Sequence, residues 1–113
     1  MWDFDDRNSL HIKTKKKLLA FLEEPRRVAM GRTAERDLSL TPVRKLGLLQ
    51  AMGEFITCGA LLKGDFMEQS GDEAFIFEYC QCEGVELYVK ASFKGEGQNE
   101  RLFVFSAHPS RRW

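Results

Sequence analysis

Cysteine is scarce in this chain and so is any imbalance of charge. The three cysteines, Cys58, Cys80 and Cys82, are odd in number and irregularly placed, which supplies no disulfide framework and leaves reduced thiols as the default. Cys80 and Cys82 share a parity and could join Cys58 and a histidine around zinc, but a C-x-C without a second paired motif is a weak zinc signal. Unpaired cysteine ordinarily serves as a small buried hydrophobe, so neither metal nor cofactor is expected. Lys plus Arg equals Asp plus Glu, 17 against 17, so the global basic balance of a nucleic-acid binder is missing and any such binding must rest on local patches. No apolar run is long enough to span a bilayer, and the start, M-W-D-F-D-D, is acidic rather than signal-like; a soluble cytoplasmic protein without a membrane partner is the expectation. At 113 residues the chain has room for one domain with a real core, and none for a large cofactor fold. Repeats and low-complexity segments are absent.

What is present begins with an amphipathic helix. Asn8 or Ser9 can cap a helix that runs to about Glu24, where Pro25 pushes the preceding residue out of helical geometry. Ile12, Leu18, Leu19 and Leu22 share one face, while Lys13, Lys16 and Lys17 form a basic stripe that is either a solvated face or a surface for phosphate or a partner. From Pro25 to Leu40, Arg26, Arg27, Arg32 and Arg36 accompany no sustained period, so a loop or a short helix from Thr33 is expected. Thr41-Pro42 then reads as N-cap and first helical residue of a helix over Val43 to Ile56. Its wide apolar arc calls for burial against both a sheet and another helix, with Gly59 available to end it. Leu61 to Gly71 reads as a connector with turns at Gly64-Asp65 and Ser70-Gly71.

Beyond the connector the period changes to two. Strands are expected over about Glu73 to Gln81, Val85 to Lys94 and Arg101 to His108, paired antiparallel as a meander. The middle one, V-E-L-Y-V-K-A-S-F-K, sets Leu87, Val89, Ala91 and Phe93 against Glu86, Tyr88, Lys90 and Ser92. A two-residue Glu83-Gly84 turn would mix Phe77 with Lys90, whereas a three-residue loop over Cys82-Glu83-Gly84 sets Glu78 opposite Tyr88. The longer loop also gathers Phe75, Phe77, Tyr79, Leu87, Val89, Ala91 and Phe93 on one face, and is preferred. The last strand, L-F-V-F-S-A-H, is apolar on both faces and decides less; one choice sends Phe103, Phe105 and Ala107 to the core. That leaves Val104, Ser106 and His108 beside Ser92, Lys90 and Tyr88. The expected fold is α+β, with N-terminal helices on one face of an antiparallel sheet of three or slightly more strands.

Glu78, Tyr88, Lys90 and His108 would then cluster on the other face, with Arg111 and Arg112 close by and Lys94 and Arg101 as further cations. A carboxylate, a phenol, a lysine and a histidine are the parts for metal-free RNA cleavage: a base for the 2′-hydroxyl, cations for the phosphate, an acid for the leaving oxygen. His108 is the natural acid by the intrinsic acidity of imidazole. Tyr88 or Glu78 would orient or deprotonate the nucleophile, and Lys90 would hold the phosphate. The bland counterpart is a set of ordinary cross-strand contacts.

The order helix, basic connector, helix, three strands, with G-D-F-M-E-Q-S before the sheet, E-L-Y-V-K in the second strand and L-F-V-F-S-A-H in the third, resembles the MqsR-like toxins of the RelE superfamily, bacterial toxin-antitoxin ribonucleases. The likeness spans about Arg32 to His108. It implies a RelE-like fold and a metal-independent, cofactor-free endoribonuclease acting on mRNA, free or on the ribosome, and neutralised by a cognate antitoxin protein. It carries the family's strand tyrosine onto Tyr88 and its late basic residue onto His108. The family's S-D-F-Y-K-S looks like Gly64 to Ser70, with Met67 and Glu68 where tyrosine and lysine stand, and its W-Q-D lies near Ile76 to Glu78, with Phe77 in place of the glutamine and Glu78 as the acid. Two alternatives stand beside this: a non-catalytic RNA- or protein-binding module of the same fold, and a structural protein that dimerises through the aromatic sheet.

Overall fold

The computed structural model describes residues 12–59, 63–66 and 73–110. Within them lie helices α1 (Ile12–Leu22), α2 (Arg32–Ser39) and α3 (Lys45–Thr57) and strands β1 (Val28–Met30), β2 (Lys63–Phe66), β3 (Glu73–Cys82), β4 (Val85–Lys94) and β5 (Arg101–Pro109). The fold is α+β. Its sheet has the order β1-β5-β4-β3-β2, with β1 parallel to β5 and every other neighbour antiparallel. The sheet is therefore mixed and five-stranded, a correction to the wholly antiparallel expectation. Neither added strand has a side-chain signature. V-A-M is too short to alternate, and K-G-D-F carries turn-forming residues although its backbone pairs with β3. Edge pairing of this kind is made by main-chain N–H and C=O groups, to which a hydrophobic pattern is blind.

The helices end where local chemistry makes them end. A short 3₁₀ turn at Pro25–Arg27 follows α1, two residues after the helix stops at Leu22 rather than Glu24; the proposed caps Asn8 and Ser9 lie outside the described residues. Thr41 does not cap α3. Its hydroxyl donates to the Leu38 carbonyl at 2.7 Å and accepts from the Val43 N–H at 3.1 Å, closing the turn after α2, so that α3 starts at Lys45 with Arg44 as its N-cap. The Lys45 ammonium then reaches the carbonyls of Pro25 and Val28 at 3.2 and 2.7 Å, tying the start of α3 to the entry of β1. Leu46, one of the apolar residues of the arc expected over Val43 to Ile56, is exposed. Leu48, Leu49, Ala51, Met52 and Ile56 are buried, and α3 packs on both β3 and α1 as its wide apolar arc requires. Cys58 and Gly59, the latter at φ +84°, terminate it.

The β3–β4 hairpin corrects the loop length and keeps the core. Cys82 pairs with Val85 across a two-residue turn, Glu83-Gly84, whose φ values of +53° and +75° are those of a primed turn. Cys80 accordingly faces Leu87, yet Phe77 faces Val89 and Phe75 faces Ala91. These two registers differ by one residue, and a bulge between Phe77 and Cys80 absorbs the difference, so that Glu78 and Tyr79 together oppose Tyr88. Tyr79 consequently leaves the core face to which it was assigned and is 60% exposed, while Cys80 and Cys82 are buried there. A second bulge, between Lys90 and Ala91 on the β4–β5 ladder, leaves Phe105 unpaired. It moves Leu102 and Val104 into the core together with Ala107, displacing Phe103 and Phe105, which are half-buried and touch each other at 4.8 Å between ring centroids.

One apolar cluster joins the sheet to the helices, with Phe77, Leu18, Leu48 and Met52 fully enclosed. Phe55 meets Phe77 at 5.3 Å between ring centroids, and Phe93 meets Phe21 and Phe75 at 4.9 and 5.5 Å. Removing a fully buried aromatic ring costs about 3–5 kcal/mol, whereas a change on a polar face usually stays within about 0.5 kcal/mol. Phe77→Ala should therefore move the urea unfolding midpoint far below that of the wild type, and Tyr88→Phe should leave it nearly unchanged. Equal losses in the two variants would contradict this division of faces.

Candidate functional site

Alternation along β4 turns Tyr88, Lys90, Ser92 and Lys94 away from α1 and α3, since Leu87, Val89 and Ala91 between them are fully buried. The partner strands follow. Tyr88 pairs with His108 and Lys90 with Ser106, while Ile76 of β3 faces Lys90 from the other side. Glu78 sits in the bulge opposite Tyr88. The structure thus brings Glu78, Tyr88, Lys90 and His108 onto one face around a single cross-strand pair.

That pair is in ring contact. The Tyr88 and His108 rings lie 5.3 Å apart between centroids and are inclined by only 15°, a stacked arrangement between half-buried side chains. His108 Nδ1 lies 2.9 Å from the Pro109 carbonyl; a carbonyl can only accept, so Nδ1 is the donor in this contact. Toward the hairpin end, the Gln81 side-chain amide donates to Glu86 at 2.9 Å. Glu86 is a second carboxylate on the same face as Tyr88, which the sequence reading did not use. Among the described residues, Glu78 and Glu86 are set against Lys90, so they give this end of the sheet no standing excess of positive charge.

The remaining candidates separate from the cluster. Lys94 and Arg101 pair with each other at the opposite end of the ladder, six residues from Tyr88, or about 20 Å along the strand. Lys94 lies 5.5 Å from the Phe105 ring centroid, and the Arg101 guanidinium donates to the carbonyls of Gln98 and Glu100, both at 3.0 Å, so its main task is to hold the β4–β5 connection. Arg111, Arg112, Met67 and Glu68 fall outside the described residues. The basic stripe belongs to the helical side: Lys17 bridges Glu100 at 2.8 Å and lies 4.2 Å over the Phe93 ring, and Arg27 lies 3.9 Å over Phe21. These cations cover the rim of the core. Ser92, taken as a solvent-side polar residue, is 1% exposed, and its hydroxyl donates to the Glu73 carbonyl at 2.5 Å.

Among the described residues no three potential metal ligands gather, and no helix is long and apolar enough to cross a membrane. Comparison with known proteins returns no match: no family model, curated protein or solved structure is significantly similar to the chain.

The cysteines occupy two chemical environments. Burial pushes the Cys80 thiol up to about 12, with the neighbouring Cys82 adding to the shift, and burial followed by Glu83 and Glu54 raises Cys82, whose thiol donates to the Gly47 carbonyl at 3.4 Å. Cys58 is exposed. Because the thiolate is the reactive form, a native-state thiol titration at mildly alkaline pH should show one fast group, Cys58, and reveal the other two only on denaturation. Three groups reacting at one rate in the native protein would contradict the buried placement of Cys80 and Cys82.

Proposed function

We propose that the chain is a metal-independent endoribonuclease acting on mRNA, the toxin of a cytoplasmic toxin-antitoxin pair with a RelE-like fold. The observation that carries this is the stacked Tyr88–His108 pair with Lys90 beside it on the same face. In the reaction, Glu78 or Tyr88 accepts the proton of a ribose 2′-hydroxyl, the 2′-oxygen forms a bond to phosphorus, and the bond to the 5′-oxygen breaks. His108 Nε2 gives the departing oxygen its proton. The products are a 2′,3′-cyclic phosphate and a 5′-hydroxyl, and no oxidant, metal or further reactant enters the balance. Lys90 offsets the charge that builds on the phosphate oxygens. A ribonuclease of this kind requires an inhibitor, and an antitoxin can cover the reactive face or add a strand to a sheet edge.

A non-catalytic RNA- or protein-binding module is the second reading, favoured by the Phe103–Phe105 contact with Lys94 nearby, which is a surface for stacking and charge rather than for bond cleavage. Cleavage assays separate the two.

With a chelator present, wild-type protein should cut a generic RNA and leave cyclic phosphate ends, over a bell-shaped pH range. Tyr88→Phe and His108→Gln should each lower the rate by about 10²- to 10⁴-fold while keeping the wild-type circular dichroism. Undiminished cleavage in both variants, or its abolition by the chelator alone, would refute the mechanism. Expression without a partner should arrest growth; harmless accumulation of soluble, folded wild-type protein would refute the toxin role. For binding, Lys90→Ala should flatten the salt dependence by about 0.7 on a log-log plot, the value for one lost contact to a single strand.

A further inference from the structure

Tyr79 is used by nothing described so far, and its position is costly. Among the described residues it is one of two non-glycines with positive φ, at +62°, a region that disfavours side chains with a Cβ and that glycine or asparagine occupies more easily. The other, Glu83, lies in a hairpin turn that demands such a conformation. Tyr79 lies within a strand. Phe77 and Cys80 on either side of the bulge are fully buried, so Glu78 and Tyr79 both stand off the core, and the tyrosine is 60% exposed. Bulges discourage strand addition at sheet edges, and described pairing between β2 and β3 stops at Ile76. Edge protection explains a bulge there, but it does not call for an exposed aromatic ring in a left-handed conformation. Strain of this sort gathers where a side chain is being presented to a ligand.

What stands next to it indicates the ligand. Tyr79 and Glu78 oppose Tyr88, and Tyr88 stacks on His108, so three ring-bearing residues hold neighbouring positions on three adjacent strands, whose backbones span roughly 10 Å. We infer that Tyr79 is a base-stacking residue for single-stranded RNA, holding the base of a nucleotide next to the one whose phosphate lies at Lys90 and His108. This rests on the proposal that the sheet face binds RNA, and it names the substrate class. A base in a duplex is already stacked, whereas an unpaired one offers its face to an aromatic ring.

The test uses the full chain and a short single-stranded RNA made uncleavable by 2′-O-methylation, with affinity read by fluorescence anisotropy at fixed salt and stability by thermal melting. Stacking on one base accounts for about 5- to 150-fold in affinity. Tyr79→Phe should bind like wild type, Tyr79→Leu should lose that factor, and Tyr79→Gly should lose it while melting no lower than wild type, because glycine relieves the strained φ. The matching RNA duplex should compete poorly. Wild-type affinity in Tyr79→Leu and Tyr79→Gly, or equal competition by duplex, would overturn the inference while leaving RNA binding intact. An affinity loss in Tyr79→Gly accompanied by a lower melting temperature would assign Tyr79 a structural role and overturn it too. Absence of any wild-type RNA binding would remove the RNA proposal itself.

Discussion

Phe77 and Cys80 are three residues apart on one strand and both are fully buried against the same layer of helices. An unbroken strand would turn one of them outward, so the burial of both requires an extra residue between them. The tight Glu83-Gly84 turn sets the pairing at the hairpin end, and the aromatic core sets it further along. The bulge at Glu78 and Tyr79 reconciles these demands. A similar step on β5 at Phe105 lets Val104 and Ala107 enter the core together. Between these two irregularities, β4 runs with its alternation intact and holds Tyr88 and Lys90 on the face away from the helices.

The strand with clean alternation was therefore the legible one. Val85 to Lys94 could be read residue by residue except at Ser92, which is buried, and the neighbouring pairs Phe75 with Ala91 and Phe77 with Val89 follow from the demand for one apolar face. That demand was satisfied with the wrong loop, because a bulge and a longer loop solve the same parity problem and only the burial of Cys80 and Cys82 tells them apart. Parity in β5 was illegible for a related reason: L-F-V-F is apolar at every position, so no pattern announces where the extra residue sits. β1 and β2 are defined by main-chain pairing, and Thr41 was equally competent to close one helix or open the next. The grouping of Glu78, Tyr88, Lys90 and His108 on one face could be named in advance because it depends on β4 and its direct partners. Tyr79 could not, since its exposure follows from the bulge.

The two faces of the sheet divide the labour of the molecule. On the helical side, Lys17 and Arg27 lie over Phe93 and Phe21 and guard the rim of the core. The other side carries both carboxylates and cations around Tyr88, so attraction for a polyanion comes from close placement of a few groups rather than from net charge. Such a face would recognise RNA through ring contact and a small number of phosphate interactions. Under the proposed function, the stacked Tyr88–His108 pair would give that contact its reactive centre, and the strained Tyr79 would extend it across the hairpin.

The most direct measurement is a titration of isotope-labelled protein with an uncleavable single-stranded RNA, followed by amide and side-chain chemical shifts. Shifts should concentrate on Tyr79, Tyr88, Lys90, Ser106 and His108, with α1 and α3 largely silent. Shifts confined to the lysines of α1, or none at RNA concentrations well above those of the protein, would contradict the assignment of the second sheet face as the RNA-binding surface.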